Sequence, residues 1–262
     1  MFCEGELCKA LIGRRRQLKM TILSGSDHIR FPTMINHKAY ADRHGYRYFF
    51  DVSPRRDRIN IYYHKLAAVA DALPYTEWLF WIDDDAAFTQ LDISLCTIVP
   101  ELMCQDLSAI FCASPVNPAG GWTFLSSGNF FIRNDAHGRR LIQLALQTDL
   151  HEVQSWWDQE TLGIFTHGDQ DALVYNINEN EEIGSRVAIL DYQRFNTRPY
   201  HFDSASQHFL VHFTNLPKTT KEAQMADFCF RYNLTPHLLT NEDFAPYASY
   251  DDAQRKSVPW LG

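Results

Sequence analysis

Three consecutive aspartates, Asp83-Asp84-Asp85, end the apolar run Trp78-Leu79-Phe80-Trp81-Ile82. The run is short, aromatic and partly β-branched, which reads as a buried strand. Three adjacent carboxylates repel one another, and each loses its hydration when buried unless a cation compensates. In an extended segment residues i and i+2 face the same way, so Asp83 and Asp85 are expected to share one divalent ion while Asp84 faces elsewhere. Hard ions such as Mn²⁺ or Mg²⁺ held in this way keep open positions that phosphate oxygens fill. A solvated acidic loop is the alternative, as for most charge runs, and the buried strand in front of the triplet argues against it.

Other residues offer related chemistry. His212 sits in Val211-His212-Phe213. On an apolar strand it is by itself an ordinary core histidine, yet a neutral imidazole suits Mn²⁺ as a third ligand. Lys218 follows a turn and could reach departing phosphates, or simply begin an exposed helix. In Gly168-Asp169-Gln170-Asp171, Asp169 could cap the next helix, while Gln170 offers a neutral amide to a sugar. Asp158-Gln159, after Trp156-Trp157, presents the same pair, and spacing does not separate the two. The apolar Ala172-Leu173-Val174-Tyr175 that follows at once favours Asp169-Gln170.

These groups must be positioned by a sizeable scaffold. The chain has 262 residues, 45% hydrophobic and 14% aromatic, with a formal net charge of -8. That balance argues against nucleic-acid binding, which needs a basic surface. An acidic protein that holds a nucleoside diphosphate needs a metal and a few local cations. No run is long enough to cross a membrane, and the basic Arg14-Arg15-Arg16 is followed by no apolar signal core. A cytoplasmic protein, or a soluble catalytic piece separated from a membrane anchor, is expected. The six cysteines lack zinc-site spacing, and Cys96, Cys104 and Cys112 read as core fillers.

Strand and helix alternate through the first half: strand at Met20 to Ser24, helix at Phe31 to His44 closed by Gly45, strand at Tyr46 to Val52, helix at Asn60 to Leu73 ended by Pro74, and strand at Trp78 to Ile82. This alternation predicts an α/β fold with a central, mostly parallel sheet. Ligands of such sheets bind outside the carboxyl ends of the strands, where both Ser24-Gly25 and the aspartates lie. Further strands are expected at Ser108 to Ala113, Phe124 to Arg133 (interrupted at Ser126-Ser127-Gly128) and Phe209 to Phe213. Helices are expected at Asp135 to Thr148, Asp169 to Asn178 and Lys218 to Arg231. One domain is the simplest organisation, with a nucleotide half (20–113), an acceptor half (114–232) and a C-terminal tail (233–262).

Glu77-Trp78-Leu79-Phe80-Trp81-Ile82-Asp83-Asp84-Asp85-Ala86 resembles the Asp-x-Asp segment of GT-A glycosyltransferases, most closely the xyloglucan α-xylosyltransferase and fungal α-galactosyltransferase family. Four further stretches agree in order: Tyr63-His64-Lys65-Leu66, Ser127-Gly128-Asn129-Phe130-Phe131-Ile132-Arg133-Asn134, Gly168-Asp169-Gln170-Asp171-Ala172-Leu173-Val174-Tyr175 and Val211-His212-Phe213.

The resemblance implies a Rossmann-like GT-A domain that moves galactose, xylose or glucose from a UDP-sugar to a glycan or other hydroxyl acceptor, with retention, using Mn²⁺ (or Mg²⁺). It implies that Asp83, Asp85 and His212 hold the metal and that Lys218 binds the leaving phosphate. Lys65 and Asp84 would lie near the donor, Gly128 and Asn129 would line the sugar pocket, Asp169 would take donor hydroxyls and Gln170 would sit beneath the anomeric carbon. A double displacement through Asp169 or Asp171 is the alternative to front-face substitution. The chain departs from the family at Gly168, where an aspartate is usual, and at Asn215, where a glycine is usual after the His-Phe pair. A metal-dependent phosphatase is a rival reading, disfavoured by Ala87 two residues past the second carboxylate. A non-catalytic nucleotide-sugar-binding module is another.

Overall fold

The computed structural model describes residues 18–26, 29, 31–53, 61–204, 206–214 and 218–248, without the side chains of 218 and 219. The first half comprises β1 (Met20–Gly25), α1 (Thr33–His44), β2 (Arg47–Asp51), α2 (Tyr63–Ala72), β3 (Trp78–Ile82), β4 (Ala86–Phe88), α3 (Leu95–Ile98) and β5 (Ala109–Cys112). Then follow β6 (Ser126–Arg133), α4 (Ala136–Gln147), α5 (Leu150–Trp156), α6 (Gln159–Leu162), α7 (Asp169–Glu179) and α8 (Glu181–Gly184). The last elements are β7 (Val187–Leu190), β8 (Leu210–His212), α9 (Lys218–Arg231) and α10 (Asn241–Ala248).

Six strands form the central sheet in the order β2-β1-β3-β6-β5-β7. β1 runs parallel to β2 and β3, and β5 parallel to β7, while β6 is antiparallel to both its neighbours. The expected mostly parallel sheet is therefore present. Strand periodicity splits the core in two. Leu79, Trp81, Phe130 and Ile132 pack on one face beneath α2, α4 and α7. Trp78, Phe80, Ile82 and Phe131 pack on the other with Tyr40 of α1, Phe88 and Phe195. Burial on both faces is why β3 reads as an unbroken apolar run.

The expected strand near residues 209–213 exists, but it lies outside the central sheet. β8 pairs antiparallel with β4, with Ala86 opposite His212. A short strand directly after the aspartates is not legible as one, because Ala86-Ala87-Phe88 is too brief to carry a pattern. α1 clamps it: Asn36 Nδ2 donates to the carbonyls of Phe88 and Leu238, its Oδ1 accepts from the Phe88 N–H, and His37 Nε2 bonds the Ala86 carbonyl at 2.7 Å.

Other boundaries differ in informative ways. α2 begins at Tyr63, and Asn60 lies outside the described residues. β6 runs straight through Ser126-Ser127-Gly128; the register against β5 jumps from Phe111–Phe130 to Cys112–Ser126, so β5 bypasses Ser127, Gly128 and Asn129. Residues 238–248 are packed rather than loose: Leu238 and Leu239 are buried, and α10 docks on α1 through Arg43–Asp243 at 2.7 Å and Tyr247–Asp42 at 3.1 Å. Cys112 is buried as expected, whereas Cys104 is exposed, because it ends a surface turn rather than entering the core.

Candidate active site

Asp83-Asp84-Asp85 forms a tight turn rather than continuing β3 as an extended segment. The Ala86 N–H donates to the Asp83 carbonyl at 3.1 Å, and this turn, not strand alternation, brings the first and third carboxylates together. The turn is stitched on both sides, by the Asp83 N–H to Gly128 carbonyl bond (2.8 Å) and the Phe213 N–H to Asp85 carbonyl bond (2.9 Å). Pairing of β4 with β8 then carries His212 to the same place. His212 Nε2 lies 3.1 Å from Asp85 and 3.8 Å from Asp83, and one ligand atom from each residue falls within 4.8 Å of the others.

The three side chains fit a divalent ion by an independent sign. Asp85 Oδ1 and His212 Nε2 are buried and, apart from each other at 3.1 Å, have no partner among the described residues. Buried polar atoms are almost always satisfied, so orphans facing one another point to a missing partner. The rest of each ligand is oriented from behind. Trp81 Nε1 donates to Asp83 Oδ1 at 2.7 Å, and Asn196 Oδ1 lies 3.0 Å from His212 Nδ1, where it accepts the ring proton in the tautomer that leaves Nε2 bare. Burial and the neighbouring Arg198 lower the pKa of His212 against the pull of Asp85 and Asp83, which favours the neutral imidazole that a ligand must be.

Three cations surround this acidic point. Lys65 Nζ lies 3.1 Å from Asp83, 3.5 Å from Asp169 and 3.0 Å from the Ser127 carbonyl. Burial opposes its charge, but Asp169 and Asp83 outweigh burial and raise its pKa. Lys221 of α9 bonds Asp85 Oδ2 at 2.5 Å. Burial alone would push the Asp85 carboxyl up; His212 and Lys221 hold it instead well below the usual carboxylate range. Arg198 Nη1 donates to Asn196 Oδ1 at 2.8 Å and lies against His212 Nδ1 (2.5 Å).

These groups line a cleft of about 550 Å³ at the carboxyl ends of β1, β2 and β3. Gly25, Lys65, Asp83, Asp84, Asp85, Gly128, Asp169, Gln170 and His212 all face it. Asp169 is buried with Oδ2 lacking a hydrogen bond, and burial raises its pKa despite Lys65. Gln170 Oε1 accepts the Ser127 N–H at 3.2 Å, which fixes the amide and leaves one lone pair for a ligand.

Ser24, Asn129 and Asp171 do not line the cleft. Ser24 is fully buried within β1. Asn129 lies behind the imidazole, donating to Asn196 Oδ1 and lying 3.3 Å from His212 Nδ1. The Asp171 carboxylate is spent on the turn before α7, accepting from the N–H groups of Thr166 and Gly168 and from the Thr166 hydroxyl. It is thus Asp171, not Asp169, that caps this helix, and it is no candidate nucleophile. The rival pair Asp158-Gln159 is exposed, with Asp158 capping α6. The Lys218 side chain lies outside the described residues, as does Asn215.

Residues 21–109, about a third of the chain, match the galactosyl transferase GMA12/MNN10 family. Among curated relatives, Glycosyltransferase 6 of Arabidopsis thaliana is 30% identical over 113 residues, covering 41% of this chain and 25% of its own. Galactomannan galactosyltransferase 1 of Cyamopsis tetragonoloba is 27% identical over 111 residues, 41% of this chain and 25% of that protein. The chain spans from a quarter to little more than a third of the length of the curated relatives it matches (25% to 37%). A solved glycosyltransferase involved in glycosylation of the major capsid of PBCV-1 superposes with a TM-score of 0.57 at 16% identity, covering 78% of this chain and 98% of that one.

The fold is that of a GT-A glycosyltransferase. The matching family, the curated relatives and the superposed structure are described as glycosyl or galactosyl transferases. Within this GT-A fold, two cleft residues escaped sequence reading. Lys221 lies three residues beyond Lys218, and two lysines at that spacing share a helix face, so the signal existed without a way to choose between them. Arg198 stands in Phe195-Asn196-Thr197-Arg198, a buried polar stretch beside β8 through the Thr197–Val211 bridge. Nothing in its local pattern marks it.

Proposed function

We propose that this chain is a metal-dependent retaining glycosyltransferase, moving a hexosyl or pentosyl group (galactose, xylose or glucose) from a UDP-sugar to a hydroxyl of a glycan acceptor with an α-linkage. The observation that carries the reading is the convergence of Asp83, Asp85 and His212, with two orphaned buried atoms, opposite Lys65, Asp169 and Gln170 in one cleft. Asp83, Asp85 and His212 would hold Mn²⁺ (or Mg²⁺), which when bound supplies Lewis-acid stabilisation of a departing diphosphate.

The chain's own groups do the rest. Lys221, and Lys218 from the same helix, offer positive charge where the leaving group becomes negative. Lys65 offsets part of the burial penalty of Asp169, whose carboxyl beside the donor accepts sugar hydroxyls. Gln170, fixed by the Ser127 N–H, turns its remaining lone pair toward positive charge developing at the anomeric carbon. Asp171 being committed to its turn, front-face substitution accounts best for the site: the acceptor oxygen forms its bond to the anomeric carbon as the bond to phosphate breaks, and its proton passes to a departing phosphate oxygen.

A thermal-shift screen of UDP-sugars with and without Mn²⁺ tests this directly, since a ligand that binds only the native state raises its stability. One UDP-sugar is expected to raise the melting temperature only with the ion present, and Asp83→Ala or His212→Ala to abolish that rise and the matching transfer activity. Equal activity in a folded Asp83→Ala variant refutes the reading.

A further inference from the structure

Arg198 is one charge too many for the chemistry above. It is 3% exposed, and a buried charge is costly unless paired. Yet among the described residues no carboxylate forms an ion pair with it. Nη1 donates to Asn196 and the Tyr200 side chain adds a hydrogen bond, neither of them a carboxylate, while Nη2 reaches the hydroxyls of Ser114 at 3.4 Å and Ser126 at 3.5 Å, beyond good hydrogen-bond length. Burial pushes the guanidinium down to about 10, against the pull of Tyr200, Asp85 and Asp83. Arg198, Ser114, Ser126 and Thr123 all line the cleft.

Position narrows the class of partner. Arg198 approaches His212 at Nδ1, whereas the metal side of the ring is Nε2, so the imidazole stands between this guanidinium and anything bound to the ion. Ser114 follows β5 and Ser126 begins β6, across β3 from Gly25 and Asp51 at the ends of β1 and β2. A diphosphate on the ion does not account for Nη2.

We propose that Arg198, with the hydroxyls of Ser114 and Ser126, forms a subsite for an oxyanion (carboxylate, sulfate or phosphate) carried by the acceptor, so that the acceptor is an acidic rather than a neutral glycan. This rests on the transferase reading. A guanidinium fork presents parallel N–H groups that match a planar carboxylate, and two serine hydroxyls can turn to donate to its other face.

The test compares methyl glucuronide with methyl glucoside, which differ at one carbon, by calorimetry with Mn²⁺ and UDP and again without either. Wild type is expected to bind the acid at least tenfold more tightly. That preference should vanish in Arg198→Gln and in the Ser114→Ala/Ser126→Ala pair, with the serine variant keeping wild-type Mn²⁺ affinity because it leaves His212 untouched. Equal binding of acid and neutral sugars by wild type overturns the proposal. So does a preference that survives both variants, or that falls only in step with Mn²⁺ affinity, which would make Arg198 a prop for His212. UDP-glucuronate against UDP-glucose forms the second arm: a charge preference confined to the donor overturns the acceptor assignment. Failure of the transferase reading itself shows separately, as the absence of any Mn²⁺-dependent stabilisation by UDP-sugars.

Discussion

Gly128 is the residue on which the metal geometry is most sharply testable. A Cβ added there would lie 2.1 Å from His212 Cε1, 2.9 Å from Nε2 and 3.0 Å from Asp83 Oδ2. Carbon atoms pack at roughly 3.5 Å, so in Gly128→Ala the imidazole edge must retreat by roughly 1.4 Å. Metal–ligand distances tolerate only about 0.2 Å, so the ring ceases to be a ligand. Perturbing groups behind a ligand already costs about 10–100-fold in metal affinity; losing the ligand is expected to cost at least 100-fold for Mn²⁺ by calorimetry. Overpacking should also destabilise the protein by about 1–3 kcal/mol, a fall in melting temperature of roughly 2–12 °C. The two effects separate in a double-mutant cycle with His212→Ala. Removing the ring relieves the clash, so the double variant should recover stability while binding Mn²⁺ no worse than His212→Ala alone. If Gly128→Ala binds Mn²⁺ within threefold of wild type, the three side chains do not form the site described.

Three further outcomes follow from the same geometry. His37 is fully buried, with burial lowering its pKa from 6.5 to about 4 against its bond to Ala86; the unfolded chain takes the proton first, so stability is complete above pH 6.5 and declines by about 3 kcal/mol as pH falls to 4. Urea unfolding across that window should show the slope, His37→Gln should flatten it, and an unchanged slope would rule out His37 as its source. Lys221→Met leaves the Asp85 carboxylate without its ammonium, so the metal-free variant should melt lower and gain more from Mn²⁺ than wild type does; equal Mn²⁺-induced shifts would show that the ion and the ammonium do not share Asp85. Gln170→Ala should lower turnover more than donor affinity, whereas Asp158→Ala, at an exposed helix cap, should change neither, and the reverse result would move the sugar site to the other pair.

The parts of this molecule legible in its sequence are those with a period or a punctuation mark. Trp78 to Ile82 could only be a strand buried on both faces, and Gly45 closes α1 in the left-handed conformation (φ 66°) that glycine adopts freely. The cleft was legible in residue type, at Asp83, Asp85 and Asp169-Gln170, although a turn rather than strand alternation joins the first two. What stayed hidden depends on contacts between distant segments. β4 is three residues long and exists because Asn36, His37 and β8 hold it. The reach of Asp171 back to Thr166 follows from the strained turn at His167 (φ 58°), which no propensity announces. Arg198 acquires its place only when the stretch after β7 folds against β8.

The hidden residues also answer how an acidic chain can receive an acidic ligand. Each metal-site carboxylate is already matched by a lysine, Asp83 by Lys65 and Asp85 by Lys221. On the proposed function, Asp85 and His212 would hold a divalent ion that neutralises Asp85, and the ammonium of Lys221 would then be free to meet a departing diphosphate. Lys65 cannot be released in the same way, because Asp169 and the Ser127 carbonyl hold it from the far side. The two lysines would therefore have different fates although both begin as carboxylate partners: Lys65 bridges Asp83 and Asp169, whereas Lys221 would become a cation conditional on the ion. On the proposed function, that asymmetry would let an ion and an anionic donor bind in favourable order within a protein whose net charge of -8 opposes the donor.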